Sequence, residues 1–385
     1  MGGAVRALRE PVAVFAVVLA IYVAATPHTN QAYRHFVYIA QAFLDGRVDL
    51  RGVPDYYHDL IHIDEKVYAP FPPVPALLLL PVVAVAGQAT DQGRVGQVLA
   101  ALAVAAFLAA LRRLGMPLRV RLFCAAALAF GSVLWAATAI GTAWFFAQIV
   151  VVLAAALTVW ELAGEGRPLV VGAAVVAGWL SRLSVLPSVP VLALVLWQRH
   201  RRPREVLIFL LANAAGLLLY LGYNALRFGN PLETGYRLLS LAAPNAEAVA
   251  RWGFFNIRYI PEHLLAMFLR GPEIIAVPPY LRPSPWGLSL VLTSPFILRL
   301  IRPARPPQWW PWGALVLSMV LPMLLFFSVG WVQFGYRYSL DWWIFLLVIL
   351  ASALGDRPRS ADGILLALAV GVNALGVYWV RALGW

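Results

Sequence analysis

Charged residues are scarce in this chain of 385 residues. Only 12% of the residues are Asp, Glu, Lys or Arg, which is about half of the share usual in soluble domains. A single cysteine, Cys124, excludes an intrachain disulfide. There is one lysine, Lys66, and no glycine-rich nucleotide loop. These absences argue against a soluble, disulfide-stabilised or nucleotide-dependent protein.

Apolar sequence is in excess, since hydrophobic residues make up 62% of the chain. Uncharged runs such as VAVFAVVLAIYVAA and WFFAQIVVVLAAALTVW recur along the whole length, and runs of about 20 residues are typical of membrane-spanning helices. The sequence therefore predicts an all-α fold, a polytopic transmembrane helical bundle. The predicted spans are 11–27, 73–90, 94–111, 120–140, 144–163, 168–198, 206–224, 286–301, 311–329, 340–354 and 361–380.

The span at 168–198 is too long for one straight helix. Pro187 and Pro190 are expected to break or kink it, which gives about 11–13 spans in total. Three parts are predicted: an N-terminal transmembrane module at 1–224 that carries a long external loop at 28–70, a second external loop at 225–285, and a C-terminal transmembrane module at 286–385.

The net charge of +12 does not indicate nucleic-acid binding, because the arginines lie mostly in short gaps between apolar runs. There they orient helices by the positive-inside rule. The gaps at 199–205, 299–307 and 355–360 and the N-terminus are expected in the cytoplasm. When the predicted spans are counted from the N-terminus, one group of arginines comes out on the external side of the membrane: Arg112, Arg113, Arg119 and Arg121. Either a span near 71–111 is wrong, or these arginines bind an external anion.

Each long loop is predicted to contain an amphipathic helix. In QAYRHFVYIAQAFLDG, apolar residues recur at three- and four-residue spacing, and Gly46 would end the helix. This pattern is typical of a helix that lies along a membrane surface. In IPEHLLAMFLRGPE, Pro261 fits the first turn of a short helix.

The first loop holds six of the 18 acidic residues and four of the six histidines. A partly desolvated carboxylate there could act as a general base on a hydroxyl group, and the candidates for catalysis are Asp59, Asp64 and His58. A metal site at His58 and His62 is a weaker alternative, because the two lie four residues apart but no HExxH pattern is present. No cofactor is expected, and a divalent metal is not supported.

Arginine and aromatic residues come together in NALRFGNPLETGYRLL and VQFGYRYSLDWW. They could anchor the chain at a membrane interface or bind a lipid phosphate, since arginine offers a planar fork to phosphate oxygens. Arg182 lies within an apolar span, where a charge is costly and is a functional candidate unless a helix break exposes it to water. The candidates for substrate and phosphate binding are Lys66, Arg337, Arg237, Arg182, Tyr336 and Asn30. Asp341 is expected to pair with Arg337 or a neighbouring arginine.

Four pieces of the chain resemble the GT-C superfamily of integral membrane glycosyltransferases, especially bacterial members related to protein mannosyltransferases and the lipid A aminoarabinose transferase. They are NQAYRHFVYIAQAFLDGRVDL, YHDLIHIDEKVYAPFPPVPALLLLP, AGWLSRLSVLPSVP, and the pair YNALRFGNPLETGYR and FGYRYSLDWW. The resemblance implies an external active site, an acidic base in the first loop and a sugar donor on a polyprenyl phosphate. Asn30 stands where the family often has an aspartate, and Phe71 where many members have a lysine. The base is therefore expected at Asp59, with Asp64 second.

We thus expect a multi-pass protein of the bacterial plasma membrane that transfers a sugar from a polyprenyl-phosphate donor to an acceptor hydroxyl on the external side. The acceptor, whether glycan, lipid or protein, stays open. Two other classes remain: a transporter or flippase of a lipid-linked or anionic substrate, and a non-catalytic lipid-binding assembly protein. The clustering of acids and histidines in one external loop favours the enzyme, because transport sites usually lie near the middle of the membrane.

Overall fold

The computed structural model describes residues 2–241, 243–276, 278 and 280–382. Within these residues the chain is mainly helical, with three small two-stranded sheets. The α-helices are α1 Gly2–Ala25, α2 His35–Leu44, α3 Val74–Ala86, α4 Gln92–Arg113, α5 Leu118–Ala129, α6 Leu134–Ile140, α7 Ala143–Leu162, α8 Pro168–Trp179, α9 Ser188–His200, α10 Pro203–Phe228, α11 Ala243–Trp252, α12 Ile260–Leu264, α13 Leu290–Thr293, α14 Trp312–Leu324, α15 Trp343–Leu354 and α16 Ser360–Ala382. The strands are β1 Ile61–Ile63, β2 Lys66–Tyr68, β3 Glu273–Ile274, β4 Leu281–Arg282, β5 Trp286–Leu288 and β6 Gln333–Gly335.

Five helical stretches in the described residues are long and apolar enough to cross a membrane: α4, α5 continued by α6, α7, α10 and α16. The all-helical prediction is confirmed. Several predicted spans are shorter helices; α8, α14 and α15 have 12, 13 and 12 residues. α7 lies at the centre of the bundle, because almost all of its residues are buried by the helices around it.

Two predicted spans are interrupted. The break at 168–198 is confirmed, since α8 ends at Trp179 and α9 begins at Ser188, with a 3-10 turn between them. A single helix over 286–301 is wrong. Strand β5, the four-residue helix α13 and a 3-10 helix at Pro295–Leu300 follow one another there. Pro295 has no N–H to continue the hydrogen-bond ladder of α13.

The basic gaps meet at one end of the bundle, hereafter the basic end. His200 contacts the carbonyl oxygen of Gly166 at 2.9 Å, and Trp310 Nε1 donates to Gln198 at 2.9 Å. Arg305 pairs with Asp356. The prediction that these gaps lie on one side is confirmed to this extent: 199–205, 299–307 and 355–360 meet at one end of the bundle.

The arginines at 112–121 also lie at the basic end, which favours the first of the two alternatives, a wrongly assigned span near 71–111. Arg121 pairs with Glu10 near the start of α1 at 2.5 Å, and Arg113 donates to the carbonyl oxygen of Trp160 at 3.1 Å. The error comes from counting 73–90 as a crossing. The side chain of Arg34 donates to Gln88 O at 2.9 Å, so the far end of α3 lies beside the first loop from which α3 starts.

The opposite end, hereafter the loop end, is built from 28–73, 225–285 and 330–341. α2 is found where a helix was predicted, and Gly46 follows it with φ +69°. The prediction that this helix lies on a surface is wrong, since seven of its ten residues are buried within the protein. Residues 57–73 fold over the helix, so that Phe71 packs against His35. The second predicted helix is present as α12, continued by a π-helical turn at Leu265–Leu269.

Candidate functional site

Asp59 is the half-buried carboxylate of the first loop. The indole Nε1 of Trp144, at the start of α7, donates to its Oδ2 at 2.7 Å. The backbone of Asp59 is left-handed, with φ +58°, which is uncommon for a residue with a side chain and is enriched for Asp. The loop and α7 therefore fix this carboxylate at the edge of the bundle while part of it stays accessible.

A group of aromatic rings surrounds Asp59. Tyr33 is also left-handed, at φ +52°, and its ring lies 5.2 Å from that of Trp144 and 5.4 Å from that of His58. His35 is buried, and its Nε2 contacts the carbonyl oxygen of His58 at 2.8 Å. Burial lowers the pKa of His35, because a desolvated imidazole holds a proton poorly. The neutral ring then donates Nε2–H to His58 O and ties this turn to α2.

A buried ion pair lies beside this group. Nε of Arg182, in the break between α8 and α9, donates to both oxygens of Asp341 at 2.8 and 3.0 Å. Ser184 donates to the same carboxylate at 2.6 Å. The prediction that Asp341 pairs with an arginine is confirmed, and the partner is Arg182. The pair and its added hydroxyl satisfy a carboxylate that is only 1% exposed.

Arg337 is buried and has no carboxylate bonded to it among the described residues. It is 8% exposed, and its Nε and Nη1 are enclosed without a hydrogen-bond partner. The guanidinium carbon lies 5.1 Å from the ring centre of Phe145 and 5.2 Å from that of Tyr338. Aromatic faces attract a cation but give its N–H groups no acceptor. Since unpaired buried donors are costly, this geometry fits a place for an anion.

These groups share one electrostatic environment. Burial lowers the pKa of Arg337, and Asp59, Arg182 and Asp341 all lie close enough to act on it. Burial raises the pKa of the Tyr236 hydroxyl, on which Arg182 and Asp59 also act. Tyr236 therefore stays protonated and able to donate a hydrogen bond. The result is one polar wall in an apolar bundle, with a base, an unpaired cation and a hydroxyl donor.

Other predicted residues of the first loop lie away from this wall. Asp64 and Glu65 form the two-residue turn of the hairpin β1–β2, where Asp64 has φ +52°. Left-handed Asp is common in such turns, so the hairpin itself explains why Asp64 is there. Lys66 is exposed at the start of β2, and His62 is exposed on β1. No group of three or more metal-ligating side chains occurs in the part of the chain that the structure describes.

Three predicted phosphate ligands are engaged elsewhere or face outward. Arg237 is exposed, whereas its neighbour Tyr236 faces the site. Tyr336 is buried, and its hydroxyl lies 2.7 Å from Nδ1 of His263. Asn30 accepts from the backbone N–H of Ala32 at 2.8 Å, which closes a local turn. Arg337, Arg182, Asp59 and His58 are the predicted residues that the structure brings together.

Sequence reasoning missed Trp144 and Tyr236 as parts of the site. Trp144 resembles any aromatic residue at the end of an apolar run, and Tyr236 lies next to the more conspicuous Arg237. The sequence did contain a signal for the pairing of Asp341 with Arg182. Asp341 is the one acid in an aromatic, apolar segment, and Arg182 is the one base in another apolar segment. Two lone opposite charges in apolar sequence favour each other as partners.

Comparison of the chain with protein-family models, curated proteins and solved structures finds no match. A carboxylate such as Asp59 can take a proton from a hydroxyl group. A buried arginine can bind phosphate and stabilise negative charge that develops on it. The arrangement is therefore suited to displacing a phosphate by a hydroxyl.

Proposed function

We propose that this protein is a membrane-embedded glycosyltransferase that moves a sugar from a polyprenyl-phosphate donor to an acceptor hydroxyl at the loop end. The proposal is carried by the buried, unpaired guanidinium of Arg337 together with the accessible carboxylate of Asp59, which lies close enough to act on the charge of that guanidinium. An anion site and a general base are the two groups that this transfer needs. The resemblance of the first loop to GT-C transferases points in the same direction.

Apolar outer faces support the position in a membrane. On α10, Leu218, Leu219 and Leu226 are each 66–70% exposed, and on α16 Ile364 is 62% exposed. Contiguous apolar surface of this kind is rare on soluble monomers but is solvated by lipid tails. Arginines gathered at the basic end indicate a cytoplasmic basic end. The loop end would then face outside, in a bacterial plasma membrane.

In the proposed reaction, Asp59 accepts the proton of the acceptor hydroxyl while the oxygen of that hydroxyl bonds to the anomeric carbon. The bond between that carbon and the phosphate oxygen breaks, and the electron pair leaves with the polyprenyl phosphate. Arg337 binds the phosphate and stabilises the added negative charge. Tyr236 donates a hydrogen bond at the same wall, and Arg182 is held by Asp341. Asp59 afterwards releases its proton to water.

The test uses purified protein in nanodiscs, radiolabelled polyprenyl-phosphate monosaccharides as donors and an extract of bacterial envelope as the source of acceptors. Asp59→Asn should lower the transfer rate by about 10²–10⁴-fold, since that is the usual contribution of a general base. Asp64→Asn is the matched control, because it changes an acid of the same loop in the hairpin turn, and it should keep the wild-type rate. Arg337→Gln should weaken donor binding as well as transfer.

Three results would contradict the proposal. Full activity in Asp59→Asn would remove the assigned base. Donor binding by the wild type without transfer to any acceptor would favour a lipid-binding protein. Movement of the donor between leaflets without transfer would favour a flippase.

A further inference from the structure

A cavity of about 150 Å³ opens at the loop end between the second loop, the start of strand β5 and residues 327–329. Its lining combines an amide, a carboxylate, a hydroxyl and aromatic rings: Asn245, Glu262, Trp286, Phe327, Ser328 and Val329. The volume is below the roughly 300–1,000 Å³ of pockets that enclose drug-sized ligands. This volume fits a ligand of about the size of one sugar ring.

The lining fits a neutral ligand rich in hydroxyl groups. The charge of Glu262 is already matched by Arg270, which pairs with it. The oxygen of Ser328 accepts from the N–H of Gly330 at 3.1 Å, so its own hydrogen can be donated to a ligand. Asn245 and Glu262 add a donor and acceptors, and sugar hydroxyls need both. The indole of Trp286 is 39% exposed and offers an apolar face to the C–H side of a ring.

Gln333 connects this cavity to Arg337. Its Nε2 donates to the carbonyl oxygens of Trp286 at 2.9 Å and Val329 at 2.8 Å, which holds two walls of the cavity together. Its Oε1 lies 3.4 Å from the backbone N–H of Arg337. Gly330, next to Val329, approaches Arg337 so closely that an added Cβ would lie 3.1 Å from Nε. The cavity wall and the unpaired guanidinium are therefore neighbours.

We infer that this cavity holds the sugar ring of the lipid-linked donor and that Asn245, Glu262 and Ser328 select which sugar is transferred. That the bound sugar belongs to the donor rests on the proposed function. If Arg337 binds the donor phosphate, the sugar bonded to that phosphate must lie next to Arg337. The presence of a monosaccharide site does not rest on that function.

Binding is measured by saturation-transfer NMR with methyl glycosides of glucose, mannose and galactose on the full-length protein in nanodiscs. At least one glycoside should give a signal, and Trp286→Ala should reduce it several-fold. Trp331→Ala is the matched control, because that ring lies 6.5 Å from Trp286 but outside the lining. Ser328→Ala makes a smaller change that keeps the fold testable, and it should also weaken the signal.

A transfer assay with competing donors adds the second readout. Asn245→Ala and Ser328→Ala should change the ratio of transferred sugars by several-fold. Absence of glycoside binding, or equal loss in Trp286→Ala and Trp331→Ala, overturns the sugar site whether or not transfer occurs. Glycoside binding without any transfer by the wild type supports the sugar site and overturns the proposed enzyme. An unchanged ratio of transferred sugars in both variants overturns the selection role.

Discussion

At the scale of single residues, burial without a partner is the most informative property of this protein. Arg182 and Arg337 both lie at the loop end, but only Arg182 has a carboxylate, Asp341, bonded to it. The polar pair satisfies itself and therefore has a structural role. Arg337 has enclosed N–H groups with no acceptor, and that deficit is what a phosphate would relieve.

Breaking the buried pair should destabilise the fold. Arg182→Gln leaves Asp341 with its charge unmatched, and removing one partner of a buried pair costs about 3–5 kcal/mol. Thermal unfolding in detergent measures this loss. Arg282→Gln is the control, because its pair with Glu273 is exposed and is worth at most about 1 kcal/mol. Equal shifts in the two variants would contradict the structural role of Arg182.

At the scale of elements, the second loop is attached to the segment that carries Arg337. Backbone hydrogen bonds join Asn256 to Leu325 and Phe327 to Phe254. The imidazole of His263 on α12 adds two more contacts, to Phe326 O at 2.8 Å and to the Tyr336 hydroxyl at 2.7 Å. Since the carbonyl can only accept, Nε2 donates to it, and Nδ1 of the neutral ring accepts from Tyr336. α12 thereby supports the residue next to Arg337.

This attachment should weaken in acid. Burial lowers the pKa of His263 below its ordinary value, which is about 6.5. The unfolded chain therefore takes up the proton first, and the contribution of His263 is complete above that pH and falls as the pH drops below it. His35, also buried with a lowered pKa, acts in the same direction.

Thermal unfolding between pH 5 and pH 8 provides the measurement. The wild type should lose stability as the pH falls through this range, and His263→Gln should lose less, because its amide keeps a donor and an acceptor without titrating. If both proteins show the same dependence on pH, His263 does not carry the effect.

At the scale of the whole molecule, two ends with different chemistry organise the chain. Arginines gather at the basic end, while acids, histidines and aromatic residues gather at the loop end. Helix α3 stays with the loop end, so the chain first returns to the basic end along α4. This route places 112–121 with the other arginine-rich gaps at the basic end.

Single cysteines test this route in the Cys124→Ala background, using a membrane-impermeant maleimide on intact cells. Glu65→Cys and Gln88→Cys should be labelled, and Arg119→Cys and Arg357→Cys should be labelled only after permeabilisation, because α3 does not cross. If 73–90 did cross the membrane, intact cells would be labelled at position 119 and not at position 88. That labelling pattern would contradict the structure.

The sequence alone determined most of the helices and the grouping of most arginines, because both follow from local pattern: apolar runs long enough for a helix and charge in the gaps. It also indicated the break after α8, since proline cannot continue a helix. It went wrong on α3, whose proline-rich start and apolar body look like those of a crossing helix. Only contacts with Arg34 in the first loop and with Leu180 after α8 place both of its ends at the loop end.

Tertiary structure decided the candidate site. Asp59 and Trp144 are 85 residues apart, and Arg182 and Asp341 are 159 apart. Periodicity describes which residues share a face of one helix, but it says nothing about which helices meet. Whether a charge finds a partner depends on that meeting. The sequence therefore contained Arg182 and Arg337 as equal candidates, and packing gave a carboxylate to one and left the other unpaired.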